Sequence, residues 1–138
     1  MLFRSHPWTL GLVEGIAAVD ILSRQKLETK NRIALILLDS NFEIALKEFI
    51  VHRVDLFPPK QFPDSRIRHL FQSRQSVVNE VSKKVNIPKR LLDKANHYYT
   101  LRNKLIHERA TVGVTNSDVD NYDKTVREVL QILFGLDL

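Results

Sequence analysis

The sequence predicts an all-α protein, an up-and-down bundle of about five helices. Three observations lead there. Apolar residues recur at helical spacing in five stretches, prolines and asparagines separate several of those stretches, and no two alternating segments offer a strand ladder. At 138 residues the chain is long enough for one domain with a real core, and it is read as a single domain, 1–138. Its abrupt start, Leu2-Phe3 ahead of Arg4-Ser5-His6, also fits the C-terminal part of a longer protein.

Residues 1–7 form a short entry segment. A first helix is expected over residues 8–27, marked by Leu10, Val13, Ala17, Ile21 and Leu22, with Trp8 as a packing anchor. Thr29 is placed to cap a second, running to about residue 54. Ile33, Leu37, Ile44 and residues 46–49 give it an apolar face, interrupted by Asp39, Ser40 and Asn41. Pro58, Pro59 and Pro63 cannot continue it. Ser65 is expected to cap a third helix reaching residue 85, with Ile67, Leu70, Phe71, Val77 and Val81 among its inward residues. Asn86-Ile87-Pro88 makes the next break, and Pro88 suits the first turn of a fourth helix over 88–108. Residues 111–115 are β-rich in composition but have no partner strand. Asn116 or Ser117 then caps a last helix to residue 134, with Val119, Tyr122, Val126 and Leu130 inward, and Gly135 stops it.

The fourth helix is apolar over a broad arc. Leu91, Ala95, Tyr98, Leu101 and Leu105 make a stripe expected to face the core. Leu92, Tyr99 and Ile106 make a shoulder beside it, expected to be the interface of a homodimer.

Composition excludes several functions. The absence of cysteine removes disulfide scaffolds and thiolate metal sites. The five histidines lack mutual one-turn spacing and acidic ligand clusters, so no metal is expected. There is no glycine-rich phosphate loop and no serine-nucleophile elbow, and no cofactor is expected. No apolar run reaches membrane-spanning length and no signal-peptide plan opens the chain, so a cytoplasmic protein with no membrane partner is the default reading. The formal charge of +5 fits a polyanionic partner such as RNA or DNA. Basic residues are scattered, however. Lys83-Lys84 with Lys89-Arg90 reads as a solvated helix end, and Phe57, Phe62 and Phe71 as core or loop anchors. No short basic recognition helix points to a plain DNA-binding domain.

The chemistry concentrates in Arg102-Asn103-Lys104-Leu105-Ile106-His107, late in the fourth helix. Asn103 and His107 are one turn apart, and the long Arg102 side chain can reach across to them. Cleaving RNA without a metal requires a proton to leave the ribose 2′-OH and extra charge on the phosphate to be stabilised. Histidine suits the first task and planar, permanently charged arginine the second. An asparagine amide can orient either neighbour.

These residues resemble the R-x4-H signature of the HEPN superfamily (higher eukaryotes and prokaryotes nucleotide-binding domains). In that family a polar residue commonly follows the arginine, the motif ends a long helix of an α-bundle, and a further helix follows. The pattern here has all three features. The resemblance implies an HEPN-like bundle, often dimeric, and a metal-independent endoribonuclease of toxin or phage-defence type, with Arg102, Asn103 and His107 catalytic. It equally implies an alternative, a non-catalytic dimerisation or nucleotide-binding module. The expected partners are RNA, a second copy of the chain, and an antitoxin or a fused ATPase. Some HEPN ribonucleases carry an acid and a base one turn apart on the second helix, which brings in Glu43 and Lys47. Glu43 would hold Arg102 and Lys47 would meet phosphate, whereas the plain reading is an exposed ion pair along one helix. Arg90 and His97 match a longer spacing of the signature by chance.

Overall fold

The computed structural model describes residues 7–108 and 112–138. The first six residues of the entry segment, and Thr111 of the β-rich stretch, lie outside them. The described chain is all helical: α1 (Pro7–Ser23), α2 (Lys30–His52), α3 (Asp64–Leu70), α4 (Arg74–Lys84), α5 (Lys89–His107) and α6 (Asn116–Phe134). Helix α2 is the centre, packing against α1, α6, α5 and α4, while α5 also packs on α6. No described helix is long and apolar enough to cross a membrane.

The third predicted helix is two. Ser73 adopts an extended conformation and its hydroxyl accepts the Ser76 N–H, so it caps a new helix where periodicity alone suggested continuation. Helix α3 starts at Asp64, after Pro63, so Ser65 is inside the helix rather than its cap. The last helix also begins one residue early. Thr115 and Asp118 form a reciprocal capping box, each side chain bonding the other's backbone N–H. Gly135 ends α6 in the left-handed region, at φ 66°, as its position suggested.

The inward faces of α1 and α2 agree only in part with those the spacing favoured: Leu46 and Phe49 are buried as expected, and Val13 and Leu22 pack on the core. Leu10 and Ile21 are exposed, while Leu12, Ile16 and Val19 are buried. On α2, Ile33, Leu37 and Ile44 are 42%, 38% and 50% exposed, and Leu35, Leu38, Phe42, Leu46 and Phe49 fill the core. Both helices carry two apolar strips, so apolar spacing cannot choose between them. A polar contact makes the choice visible. Asn41 is buried and donates to the Leu12 carbonyl at 3.1 Å, with its amide pressed against Gly15 of α1. Only a residue without a side chain lets the two helices meet there.

Elsewhere the expectations for packing hold. Tyr98 and Leu105 are buried and Leu101 is half-buried. Trp8 stacks on His52 with ring centres 4.2 Å apart and meets the edge of Phe134. Phe57 and Phe62 are buried edge to face at 5.1 Å, anchoring the proline-rich loop. Asn31 donates to Asn116 and to the Val114 carbonyl, tying the start of α2 to the segment that leads into α6.

The crossing of α1 and α2 yields a paired test. A Cβ at Gly15 would lie 2.8 Å from the Asn41 amide oxygen, whereas a Cβ at Gly11 meets nothing within 4 Å. Gly11→Ala should gain up to about 1 kcal/mol from helix propensity. Gly15→Ala should come out about 1–3 kcal/mol less stable than Gly11→Ala, the usual range for overpacking. Urea unfolding of the two variants measures the difference, and equal stability would refute the close crossing.

Candidate functional site

The site grows from one acid in an apolar arc. Asp39 sits on the inner side of α2, its side chain only 4% exposed. A carboxylate so placed is costly unless cations and hydrogen-bond donors surround it. Three helices supply them. Tyr122 of α6 donates its hydroxyl at 2.6 Å, Arg74 of α4 brings Nη1 to 2.9 Å, and Arg102 of α5 brings Nε to 3.7 Å. Tyr122 is stacked on Tyr98 of α5, with ring centres 4.9 Å apart.

Arg74 is the first residue of α4, where the helix dipole disfavours a cation. Acid contacts offset this, with Asp39 beside it and Glu43 Oε1 at 3.7 Å. Its guanidinium also lies over the rings of Tyr99 at 4.0 Å and Phe42 at 5.0 Å. Burial is the largest single influence on the Arg74 charge and works against it, but Asp39 and Tyr122 together outweigh it and hold the guanidinium above its ordinary pKa. The Tyr122 phenol is pushed well above its ordinary 10.0, first by burial and then by Asp39, with Arg74 pulling the other way.

The predicted residues fall into place around this hub unequally. Arg102 Nη1 donates to Asn103 Oδ1 at 3.1 Å, so the two are in direct contact, and the acid next to Arg102 is Asp39. Glu43 instead stands between Lys47, at 3.1 Å, and Arg74. Lys47 also lies over the Phe71 ring, 5.4 Å from its centre. Asp39, Glu43 and Lys47 follow one another at one-turn spacing along α2. His107, the last residue of α5, is exposed, and among the described residues its ring makes no side-chain hydrogen bond. The shoulder of α5 is divided. Leu92 and Tyr99 are half-buried, Leu92 in a cleft beside α4 and Tyr99 under Arg74, while Ile106 is 48% exposed.

The cluster holds three cationic side chains, Lys47, Arg74 and Arg102, against two carboxylates, Asp39 and Glu43. Arg74 and Asp39 are sealed in, so the cationic surplus faces solvent through Lys47 and Arg102, whose side chains are 28% and 31% exposed. Such a surface can receive a phosphate. Three of the four basic residues around the start of α5 are occupied: Lys83 by Glu80, Lys89 by Asp93 and Arg90 by Glu128. Among the described residues, no three histidines or acids come together as metal ligands.

Sequence reasoning missed Asp39, Arg74 and Tyr122 as members of the site. Asp39 had read as part of a polar interruption and Tyr122 as an ordinary inward residue. The available signal was angular. At 100° per residue Asp39 falls between Leu35, Leu46 and Ile50, on an arc whose other residues are apolar apart from Arg32 in the first turn. An acid there needs partners from neighbouring helices.

Two outcomes follow from the hub. Asp39→Ala should destabilise the fold by about 3–5 kcal/mol, because Arg74 is left buried without its nearest acid. Tyr122→Phe should lose about 1.5–3 kcal/mol at neutral pH, the range for a hydrogen bond to a charged group. The folded phenol pKa lies above the unfolded one, so its contribution is complete below about pH 10 and is lost as pH rises through the folded value. The stability gap between wild type and Tyr122→Phe should therefore hold up to about pH 10 and shrink as the pH rises beyond it. Urea unfolding across that range checks it, and a constant gap would contradict the buried contact.

No family model, curated protein or solved structure matches this chain.

Proposed function

We propose that this chain is an HEPN-type, metal-independent endoribonuclease of toxin or phage-defence type. It would cleave RNA by attack of the 2′-OH on the adjacent phosphate. The observation that carries the reading is the α5 terminus. Arg102 is in contact with Asn103 and lies beside a buried carboxylate, and His107 follows one turn after Asn103 at an exposed helix end. Arg102 then stabilises charge on the pentavalent phosphate, Asn103 orients the guanidinium, and His107 takes the 2′-OH proton as the P–O5′ bond breaks, the departing 5′-oxygen being protonated to a 5′-hydroxyl. Lys47, partly exposed on the same cluster, adds positive charge for the RNA backbone.

Self-association is part of the reading. The exposed Ile106 and the exposed apolar residues of α2 provide surface for a second copy. One observation favours a second reading, a non-catalytic HEPN dimerisation or nucleotide-binding module. His107 has no orienting side-chain partner among the described residues, and a proton-transfer histidine is usually held by one.

Purified protein incubated with RNA separates the two. Cleavage should continue in EDTA and leave a 2′,3′-cyclic phosphate, and a deoxyribose at the scissile position should abolish it. His107→Ala should slow cutting by about a hundredfold or more, the usual scale for a general acid or base. Arg102→Lys should also lose much of the rate, since a point charge cannot replace the planar fork. His97→Ala should change little. Full activity in His107→Ala, or arrest by EDTA, would overturn the mechanism, and absence of cutting by wild type favours the module.

A further inference from the structure

Helix α2 is apolar toward solvent as well as toward the core. At 100° per residue Ile33, Leu37, Ile44 and Val51 fall within an arc of about 40°, and all four are exposed. They form a row about 27 Å long, with exposed Ser40 at its middle. Single exposed apolar residues are ordinary, but such a row along one helix face marks a contact surface. A helix that is apolar all round is normally enclosed by others. The four neighbours of α2 cover its inner arc and leave this row open. The shoulder of α5 offers no comparable row, because Leu92 and Tyr99 are half-buried within the chain.

The row suits a second copy of itself. Ile33, Leu37, Ser40 and Ile44 follow at steps of four, three and four, the alternation of a two-helix seam. Ser40 places a small side chain where two such helices come closest. A twofold pair needs a surface complementary to itself. Lys30 and Glu48 lie on one edge of the row, toward opposite ends, and both are partly exposed. Within the chain Lys30 reaches the Ser23 carbonyl at 2.8 Å and Glu48 meets His52 at 2.9 Å, so neither has a permanently charged partner among the described residues. In an antiparallel pair that edge meets the same edge of the other copy. Each Lys30 then approaches Glu48 of the other copy, at both ends, and the helix dipoles oppose.

We propose that α2 pairs with α2 of a second copy, antiparallel, about a twofold axis near Ser40. This gives a face and a direction to the self-association in the functional reading, on which its purpose rests, but the pairing is tested without any cleavage. A twofold axis set this way maps each edge of the row onto itself. Lys47, on the edge opposite Lys30 and Glu48, therefore opens on the same side of the pair in both copies. One RNA lying across that side would meet both cationic surfaces.

The chain has no cysteine, so single-cysteine variants report one position each. Ser40→Cys should form a disulfide-linked dimer on mild oxidation. Val51→Cys should not, because antiparallel pairing holds its two copies about 30 Å apart, far beyond disulfide reach. Sedimentation should show wild type paired at about 100 μM, and Ile44→Glu monomeric with an unchanged circular dichroism spectrum. Lys30→Glu should weaken the pair about tenfold, and adding Glu48→Lys should restore it. A link through Val51→Cys would mean a parallel pair, and no link through Ser40→Cys another face, and each would overturn the proposal. So would a wild-type monomer at about 100 μM, or a double reversal no stronger than Lys30→Glu alone. Antiparallel pairing without RNA cutting would sink the nuclease reading and leave this one standing. Cutting by a chain that stays monomeric would do the reverse.

Discussion

A carboxylate removed from water has to be answered, and in this protein that demand organises four helices. Asp39 of α2 draws a phenol from α6, a guanidinium from α4 and a second guanidinium from α5. Unpaired, the charge would cost several kcal/mol. Paired, it fixes how the helices stand to one another around the point where the polar end of α5 emerges. The apolar core stabilises the bundle as a whole, and the polar hub sets the local geometry near Arg102.

The shared acid also makes Arg74 and Arg102 interdependent. Both cations answer to one carboxylate, and Arg74 stands at a helix N-terminus that alone would repel it. A change at one position is expected to move the other, so their effects should not add. Beside them Tyr98 stacks on Tyr122, and both rings are buried in the core.

Much of this was legible in the chain. Proline and glycine punctuation located most helix ends, and the polar group of α5 stood out by residue type. What escaped depended on choices that spacing leaves open. Ser73 looks like any serine inside a periodic stretch until its hydroxyl takes the Ser76 N–H. Leu37 and Ile44 look as apolar as Leu38 and Phe42, yet the first pair is exposed and the second buried. Glu43 reads in the sequence either as a partner of Arg102 or as a plain ion pair with Lys47; it pairs with Lys47, and Asp39, one turn earlier, is the acid beside Arg102. In each case a contact from a distant part of the chain decides, and a local pattern cannot carry it.

The two polar residues on the inside of α2 have a further consequence for how that helix is set. At 100° per residue, the buried arc of α2 spans roughly half its circumference, with Asn41 near one border and Asp39 near the other. An apolar arc that wide tolerates some rotation about the helix axis, because a leucine a few tens of degrees off centre is still covered. A hydrogen bond is far less forgiving of angle. Asn41 donates to the Leu12 carbonyl on α1, and Asp39 accepts from the Tyr122 hydroxyl on α6, with the arginines of α4 and α5 as ion partners beside it. The phase of the central helix is therefore pinned at its two edges and only loosely held at its middle. Angular precision on α2 comes from its least hydrophobic inward residues, and Lys47, two turns beyond Asp39, inherits its bearing from them.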